Sequence, residues 1–306
     1  MIRIGSRGSQ LALWQANHIA AALRGAGHEV SIEIIRTTGD RNQDVSFAKV
    51  GSKGMFTKEI EEALLEDRVD LAVHSLKDLP TELASPFSIA AIPPRVDPRD
   101  AFVSVNFASF SSLPPGAQVG TSSLRRQAQL RAQRPDLEYV EFRGNVDTRL
   151  RKLAEGQVQA IVLAAAGLER LEKTEWLRER FSPDVSCPAA GQGALAIECR
   201  AGDAVTHQAV AFLDDAATRF AVTAERTALG ALGGGCQVPV GIHCMREGAG
   251  FRIMGAVAAA DGSRVIRAEA FGPGSSGGAS ELGQALANEL LDRGALQILA
   301  LAEIGK

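Results

Sequence analysis

The chain has 306 residues, of which 45% are hydrophobic and 23% are charged, and its formal net charge is −3. This length exceeds what one hydrophobic core usually supports, so we expect two or three domains. The net acidity argues against a general nucleic-acid binder, and no apolar run reaches the roughly 18 residues of a membrane span. The first residues lack the apolar segment of a signal peptide, so we expect a cytoplasmic location.

The four cysteines are irregularly spaced and none forms a C-x-x-C pair. This spacing does not predict a structural zinc site, and we expect no metal. In a reducing compartment the four side chains should be free thiols.

The chain begins with a strand, a turn and an amphipathic helix. The stretch IRIGSRGSQLALWQANHIAAALRGAG predicts a helix over about 10–23, with Ser9 as its cap. A later stretch, AQVGTSSLRRQAQLRAQRP, repeats this pattern, and there Ser122 or Ser123 could be the cap. Both turns carry arginines, the residues that bind carboxylates and phosphates in a forked geometry.

A second pair of similar passages supports a duplicated domain. EEALLEDRVDLAVHSLKDLP predicts a strand over 71–74, and LRKLAEGQVQAIVLAAAGLER predicts one over 160–163. Open α/β sheets bind ligands beyond the carboxyl ends of their strands, and helix N-termini favour anions. We therefore expect two α/β domains that bind carboxylates or phosphates.

The two copies differ at the end of the strand. His74, Lys77 and Asp78 follow the first strand, whereas the second is followed by alanines. This difference places the chemistry in the first domain. Asp78 could also be a simple turn cap before Pro80. We expect His74 to support the strand end, because a lone histidine is usually structural.

Prolines and glycines mark the other boundaries. AAIPPRVDPRD predicts a crossing segment, and SCPAAGQGALAIECR predicts a strand that returns to the first domain after Gly193. A helix, a Gly-Gly-Gly-Cys loop, two strands and a final helix from about residue 280 predict a small α+β domain. The predicted domains are 1–93 with 194–213, 98–190, and 216–306.

Seven stretches occur in a characteristic order: RIGSRGSQLALWQA, GSKGMFTKEIE, DLAVHSLKDLP, VGTSSLRRQAQL, FRGNVDTRL, PAAGQGALAIECR and GGGCQVPVG. Over nearly the whole chain they resemble the porphobilinogen deaminase family, also called hydroxymethylbilane synthases. The resemblance implies an α/β fold of two domains similar to periplasmic binding proteins, plus a small α+β domain. It also implies a transferase that joins four porphobilinogen molecules into linear hydroxymethylbilane with release of ammonia, a step of tetrapyrrole biosynthesis.

The resemblance further implies a role for individual residues. Cys236 would carry a dipyrromethane cofactor through a thioether, and Asp78 would be the catalytic carboxylate. Cofactor contacts are implied for Lys77, Ser75, Thr121, Ser123, Arg125, Arg126, Arg143, Gly144 and Asn145. Substrate contacts are implied for Arg3, Arg7, Ser9, Gln15, Lys53, Phe56, Arg149 and Gln192. The family expectation is a monomer that acts on a small molecule, without a nucleic-acid or membrane partner.

The residues alone leave two other classes of protein open. A non-catalytic anion-binding module would explain the duplicated domains and the arginines, but not Asp78 beside Lys77. A hydrolase or acyltransferase with Cys236 as nucleophile would need a nearby histidine, and the closest in sequence is His243. A buried, inert Cys236 at a helix end is the third interpretation of the glycine-rich loop.

Overall fold

The computed structural model describes residues 1–38, 57–234, 238–274 and 277–304. The chain divides into two compact units, Met1–Val96 with Ala194–Arg219, and Asp97–Gly193 with Phe220–Lys306. The division into three domains stays a prediction. Three predicted site residues lie outside the described residues: Lys53, Phe56 and Cys236.

The strands, in chain order, are β1 Ile2–Ser6, β2 Val30–Ile34, β3 Leu71–Ser75, β4 Phe87–Ala91, β5 Asp100–Val103, β6 Gln118–Gly120, β7 Glu138–Val140, β8 Ala160–Ala164, β9 Leu177–Arg180, β10 Leu195–Arg200, β11 Val240–Glu247, β12 Gly250–Ala258 and β13 Val265–Pro273. The helices are α1 Gln10–Gly25, α2 Lys58–Leu65, α3 Leu124–Gln133, α4 Val146–Ala154, α5 Ala165–Arg170, α6 Ala204–Val210, α7 Ala216–Ala231, α8 Gly278–Asp292 and α9 Ala295–Ile304. Short 3₁₀ helices cover Leu76–Asp78, Phe110–Ser112, Thr174–Trp176 and Ala211–Leu213.

The first unit contains a five-stranded sheet of order β2-β1-β3-β10-β4. Strand β1 is parallel to β2 and β3, whereas β10 is antiparallel to β3 and β4, so the predicted return strand is confirmed. Helix α1 begins where predicted because Ser9 Oγ accepts a hydrogen bond from the Ala12 amide at 3.3 Å. Its buried face, including Ile19 and Leu23, packs in one core cluster with Ile197 of β10.

The sheet of the second unit repeats this topology in the order β7-β6-β8-β5-β9. Strand β6 is parallel to β7 and β8, and β5 is antiparallel to β8 and β9. The predicted duplication is therefore confirmed at the level of strand order and direction. The second helix cap is Ser123, whose Oγ accepts a hydrogen bond from the Arg126 amide at 3.4 Å.

The C-terminal part of the second unit is a three-stranded antiparallel sheet, β11-β12-β13, with helices against it. Gly255 of β12 gives room to Leu286 and Leu290 of α8, because a Cβ there would lie 2.8 Å from a Leu290 methyl group. This part has the α+β character that the sequence predicted. None of the described helices combines the length and apolar character that a membrane span requires.

Candidate active site

A pocket in the first unit lies at the carboxyl ends of β1 and β3, where α1 and the 3₁₀ helix begin. This is the edge of an α/β sheet at which ligands are expected. The predicted site residues that line it are Arg7, Ser9, Gln15, Ser75 and Asp78, and His74 lines it as well. Thr57 and Ile60, at the start of α2, form part of the same wall.

Asp78 stands at the end of the short 3₁₀ helix and is exposed. The Leu79 amide closes this turn on the Leu76 carbonyl at 3.1 Å, so the turn forms without the Asp78 side chain. Among the described residues, the Asp78 carboxylate makes no hydrogen bond or ion pair. Asp78 is therefore not the turn cap that the sequence left open, and its charge is available to a ligand.

The pocket wall beside Asp78 is held by a side-chain hydrogen bond between α1 and β3. Gln15 Nε2 donates to Ser75 Oγ at 2.8 Å, and Gln15 is buried. Arg7 contributes a positive charge to the pocket, and Lys77 precedes Asp78 in the turn. The pocket therefore combines the Asp78 carboxylate with basic groups. It also contains the first amides of α1, which favour anions.

Arg3 and Lys77 are described site residues of this unit that do not line the pocket, and Arg3 lies far from it in the sheet. Its Nη2 and Nε bind the Asp70 carboxylate at 2.6 and 3.2 Å. Asp70 precedes β3, whereas Asp78 follows it, and β1 is parallel to β3. Arg3 therefore lies at the amino end of the sheet, and its bond with Asp70 gives it a structural role there.

In the second unit, Asp100 lies at the centre of a buried polar cluster. The carboxylate accepts hydrogen bonds from Arg125 Nη1 at 2.7 Å, Arg126 Nε at 2.9 Å, Ser186 Oγ at 2.8 Å and Gln192 Nε2 at 2.8 Å. Burial alone would raise the pKa of Asp100, but the two guanidinium groups outweigh it and hold this pKa well below its usual range. The arginines are thus fixed by an internal counter-ion.

Arg149 has a different environment from the two arginines that contact Asp100. Burial, and then the positive charge of Arg126, lower the pKa of Arg149 to about 10. Its Nε is buried and finds no hydrogen-bond partner among the described residues. A half-buried cation whose buried Nε is an unused donor, beside another cation, indicates a place where an anion would be stabilised.

The loops before α3 and α4 contain the other predicted cofactor-binding residues. Thr121 is buried, and its Oγ1 accepts a hydrogen bond from the Ser123 amide at 3.2 Å. Gly144 has a φ of 121°, in the region that glycine favours, and Asn145 follows as the N-cap of α4. Arg143 forms an ion pair with Glu141.

Sequence reasoning missed Asp100 and, in the first unit, the buried Glu198 on β10. Each lies in a short apolar strand. Asp100 is outside the seven stretches of the resemblance, and Glu198 is inside PAAGQGALAIECR, where no role was assigned to it. An acidic residue inside such a strand was the available signal, because buried carboxylates need a partner.

The fold and these sites define a duplicated α/β protein with an exposed carboxylate pocket in one unit and an arginine cluster in the other. Residues 2–208 match the family model "Porphobilinogen deaminase, dipyromethane cofactor binding domain". Residues 219–292 match the model of the C-terminal domain of the same family. The chain belongs to the porphobilinogen deaminase family, as the sequence resemblance implied.

Relatives of nearly equal length support this assignment. A porphobilinogen deaminase from Pelobacter propionicus is 51% identical over 300 residues, which cover 97% of this chain and 96% of the relative. One from Nitratidesulfovibrio vulgaris is 51% identical over 302 residues, which cover 97% and 95%. A nutrient-binding protein from Burkholderia cenocepacia, solved with methionine, has a TM-score of 0.43 and 14% identity over 69% of this chain and 90% of its own. That similarity is too distant to support an argument.

Proposed function

We propose that this chain deaminates porphobilinogen and joins four molecules head to tail into linear hydroxymethylbilane, in tetrapyrrole biosynthesis. The observation that carries the proposal is the exposed Asp78 carboxylate, which has no partner among the described residues and stands in a pocket with Arg7. Membership of the porphobilinogen deaminase family indicates that the ligand of this pocket is porphobilinogen. The proposal includes a monomeric enzyme, which is the expectation from the family resemblance, in the cytoplasm.

Binding of the substrate follows from its charges. Porphobilinogen carries an acetate and a propionate group, and a guanidinium such as that of Arg7 can bind a carboxylate through two parallel hydrogen bonds. The first amides of α1 lie at the same pocket and favour a second anionic group there. Ser9 and Gln15 add polar atoms to the wall, although Gln15 also donates to Ser75. These groups would orient the pyrrole ring against Asp78.

Asp78 would act on the carbon–nitrogen bond that breaks. The aminomethyl group reacts as its ammonium form, so that the nitrogen leaves as ammonia with the bonding electron pair and the positive charge passes to the pyrrole. A fixed carboxylate stabilises that charge and accepts a hydrogen bond from the pyrrole N–H. The pyrrole α-proton lost after carbon–carbon bond formation needs an acceptor, for which a carboxylate in the pocket is suited.

The second unit fits a group that bears several carboxylates. Arg149 has an unused buried donor, and it lies close enough to Arg126 for the two charges to interact. We propose that these arginines, with Arg143, Thr121 and Ser123, hold the dipyrromethane cofactor. When bound, dipyrromethane supplies the free pyrrole carbon to which the first substrate is joined. Arg125 and Gln192 contact Asp100, and we assign them to the support of this site.

The attachment point of the cofactor is proposed from the motif GGGCQVPVG. Cys236 follows three glycines in the sequence, residues whose lack of a side chain suits a turn that presents a bulky adduct. The other three cysteines are buried free thiols. Burial raises the pKa of Cys187 to about 12, which makes this thiol a poor nucleophile. Cys236 is thus the cysteine that we assign to the thioether.

Intact mass under denaturing conditions tests the proposal. The purified chain should be heavier than its sequence by two porphobilinogen-derived pyrrole units, on the peptide that contains Cys236. Cys236→Ser should abolish this increment, whereas the matched Cys199→Ser should retain it. An apo preparation should gain the increment after incubation with porphobilinogen. The bare sequence mass before and after that incubation would contradict the proposal.

A further inference from the structure

The return strand β10 holds the turn that carries Asp78. Leu195 lies opposite Ser75, the last residue of β3, in the antiparallel ladder. The Leu76 amide then donates to the Ala194 carbonyl at 3.0 Å, so the ladder continues from β3 into the 3₁₀ helix. The Asp78 carboxylate has no partner among the described residues. Its position therefore depends on the backbone that β10 fixes.

A buried side-chain pair also joins β3 to β10, just before the turn that carries Asp78. His74 lies opposite Ala196 on β10, which makes Glu198 its diagonal neighbour on the same face. His74 Nε2 is 2.9 Å from Glu198 Oε2, and the two side chains are 6% and 0% exposed. This is an ion-pair distance, although the alignment falls outside hydrogen-bond geometry. The His74 ring also lines the Asp78 pocket.

Burial of this pair lowers the stability of the fold, which suggests that the pair has another role. Neither Glu198 oxygen has a hydrogen-bond partner among the described residues, and the His74 ring is the polar group that lies against this buried carboxylate. A second carboxyl, Glu61 of α2, lies close by. Burial raises the pKa of Glu61, and the charge of Glu198 raises it further. An apolar pair would be easier to bury here, and such local conflicts concentrate at functional sites.

We propose that Glu198 is a positioning residue for Asp78 and acts through His74. Glu198 fixes the His74 side chain, and with it the end of β3 from which the Asp78 turn leaves. Carboxylates that stabilise developing charge must be held to within a fraction of an ångström of their productive position. The inference rests on the proposed function, because it assumes that Asp78 is catalytic.

Steady-state kinetics on cofactor-loaded enzyme test this role, with loading measured by intact mass. Glu198→Ala should lower kcat by about 10- to 100-fold, because a misplacement near 1 Å costs that much. KM for porphobilinogen should stay within about twofold, since Arg7 and the start of α1 are untouched. Glu198→Gln keeps an oxygen beside His74 and should recover most of kcat. The matched control is Ser88→Ala, which removes the Ser88–His207 contact of 3.0 Å on β4, the neighbour of β10 on the side away from β3.

A purely structural role would give a different result. Glu198→Ala would then lower the melting temperature but leave kcat per loaded enzyme unchanged, and that outcome overturns the inference. If Glu198→Ala does not fold, His74→Leu removes the other partner and is judged by the same criterion. Near-normal turnover in Asp78→Asn would refute the proposed function itself. An inactive Asp78→Asn beside a fully active Glu198→Ala would refute the positioning role alone.

Discussion

Asp100→Asn should lower the stability of the second unit strongly. The carboxylate is fully buried, and Arg125 and Arg126, with which it forms ion pairs, are 5% and 6% exposed. An asparagine has almost the same shape but no charge, so two buried guanidinium groups would lose their counter-ion. Removal of one partner from a buried ion pair costs about 3–5 kcal/mol. For a unit of this size, that loss corresponds to a melting temperature lower by about 6–20 °C.

Thermal unfolding followed by circular dichroism measures this loss at pH 7. The matched control is Glu155→Gln, which breaks the exposed ion pair between Arg151 of α4 and Glu155, the C-cap of that helix. An exposed pair at this spacing contributes only about 0.3–0.5 kcal/mol, so the control should melt within about 2 °C of the parent. If Asp100→Asn melts as close to the parent as Glu155→Gln does, the reasoning is refuted.

The stability lost in Asp100→Asn should also depend on pH. The folded-state pKa of Asp100 is held far below its unfolded value of about 3.9, because its arginine partners outweigh the effect of burial. Its contribution to stability is therefore fully present above about pH 4 and is lost as the pH falls towards the folded-state pKa. The difference in melting temperature between the parent and Asp100→Asn should be constant from pH 5 to 7 and shrink below about pH 4. A difference that shrinks already between pH 7 and 5 would contradict this.

Two further substitutions test the site. Asp78→Asn should keep the fold and the bound cofactor, whereas kcat should fall by at least about 100-fold because an amide supplies no negative charge; unchanged turnover of porphobilinogen would contradict this. Gly144→Ala should lower the melting temperature more than Gly156→Ala. Both residues have positive φ, but a Cβ at Gly144 would lie 2.8 Å from Thr148 Cγ2, whereas Gly156 has open space. Equal melting temperatures would show that this contact costs nothing.

Features that depend on neighbouring residues could be predicted from the sequence. Helix α1 was predicted over about 10–23 and spans Gln10–Gly25, because the Ser9 cap and the apolar periodicity are both local signals. The strand predicted over 71–74 is Leu71–Ser75. The choice between Ser122 and Ser123 was harder, since both are good caps and only the path of the backbone decides between them. The structure selects Ser123.

Features that depend on strand register could not be predicted. Arg3 lies in β1, three residues before the end of the strand that meets the pocket. The sequence alone does not say how far Arg3 is from Asp78. The pairing of Ile4 with Leu71 places Arg3 beside Asp70, at the other end of the sheet. Asp100 is similar, because its partners Arg125 and Arg126 are 25 and 26 positions away in the chain.

The Asp100 cluster also explains how the proposed site for anions could exist before its ligand arrives. Several arginines close together repel one another, and exposed guanidinium groups would donate their hydrogen bonds to water. One aspartate shared by Arg125 and Arg126 fixes both side chains while it neutralises only one of their two charges. Arg149 adds another charge, and its pKa is lowered by burial and by Arg126 rather than raised by an acid. The second unit thus keeps positive charge that is already oriented and partly desolvated, which is the condition under which a carboxylate-bearing ligand binds with little reorganisation.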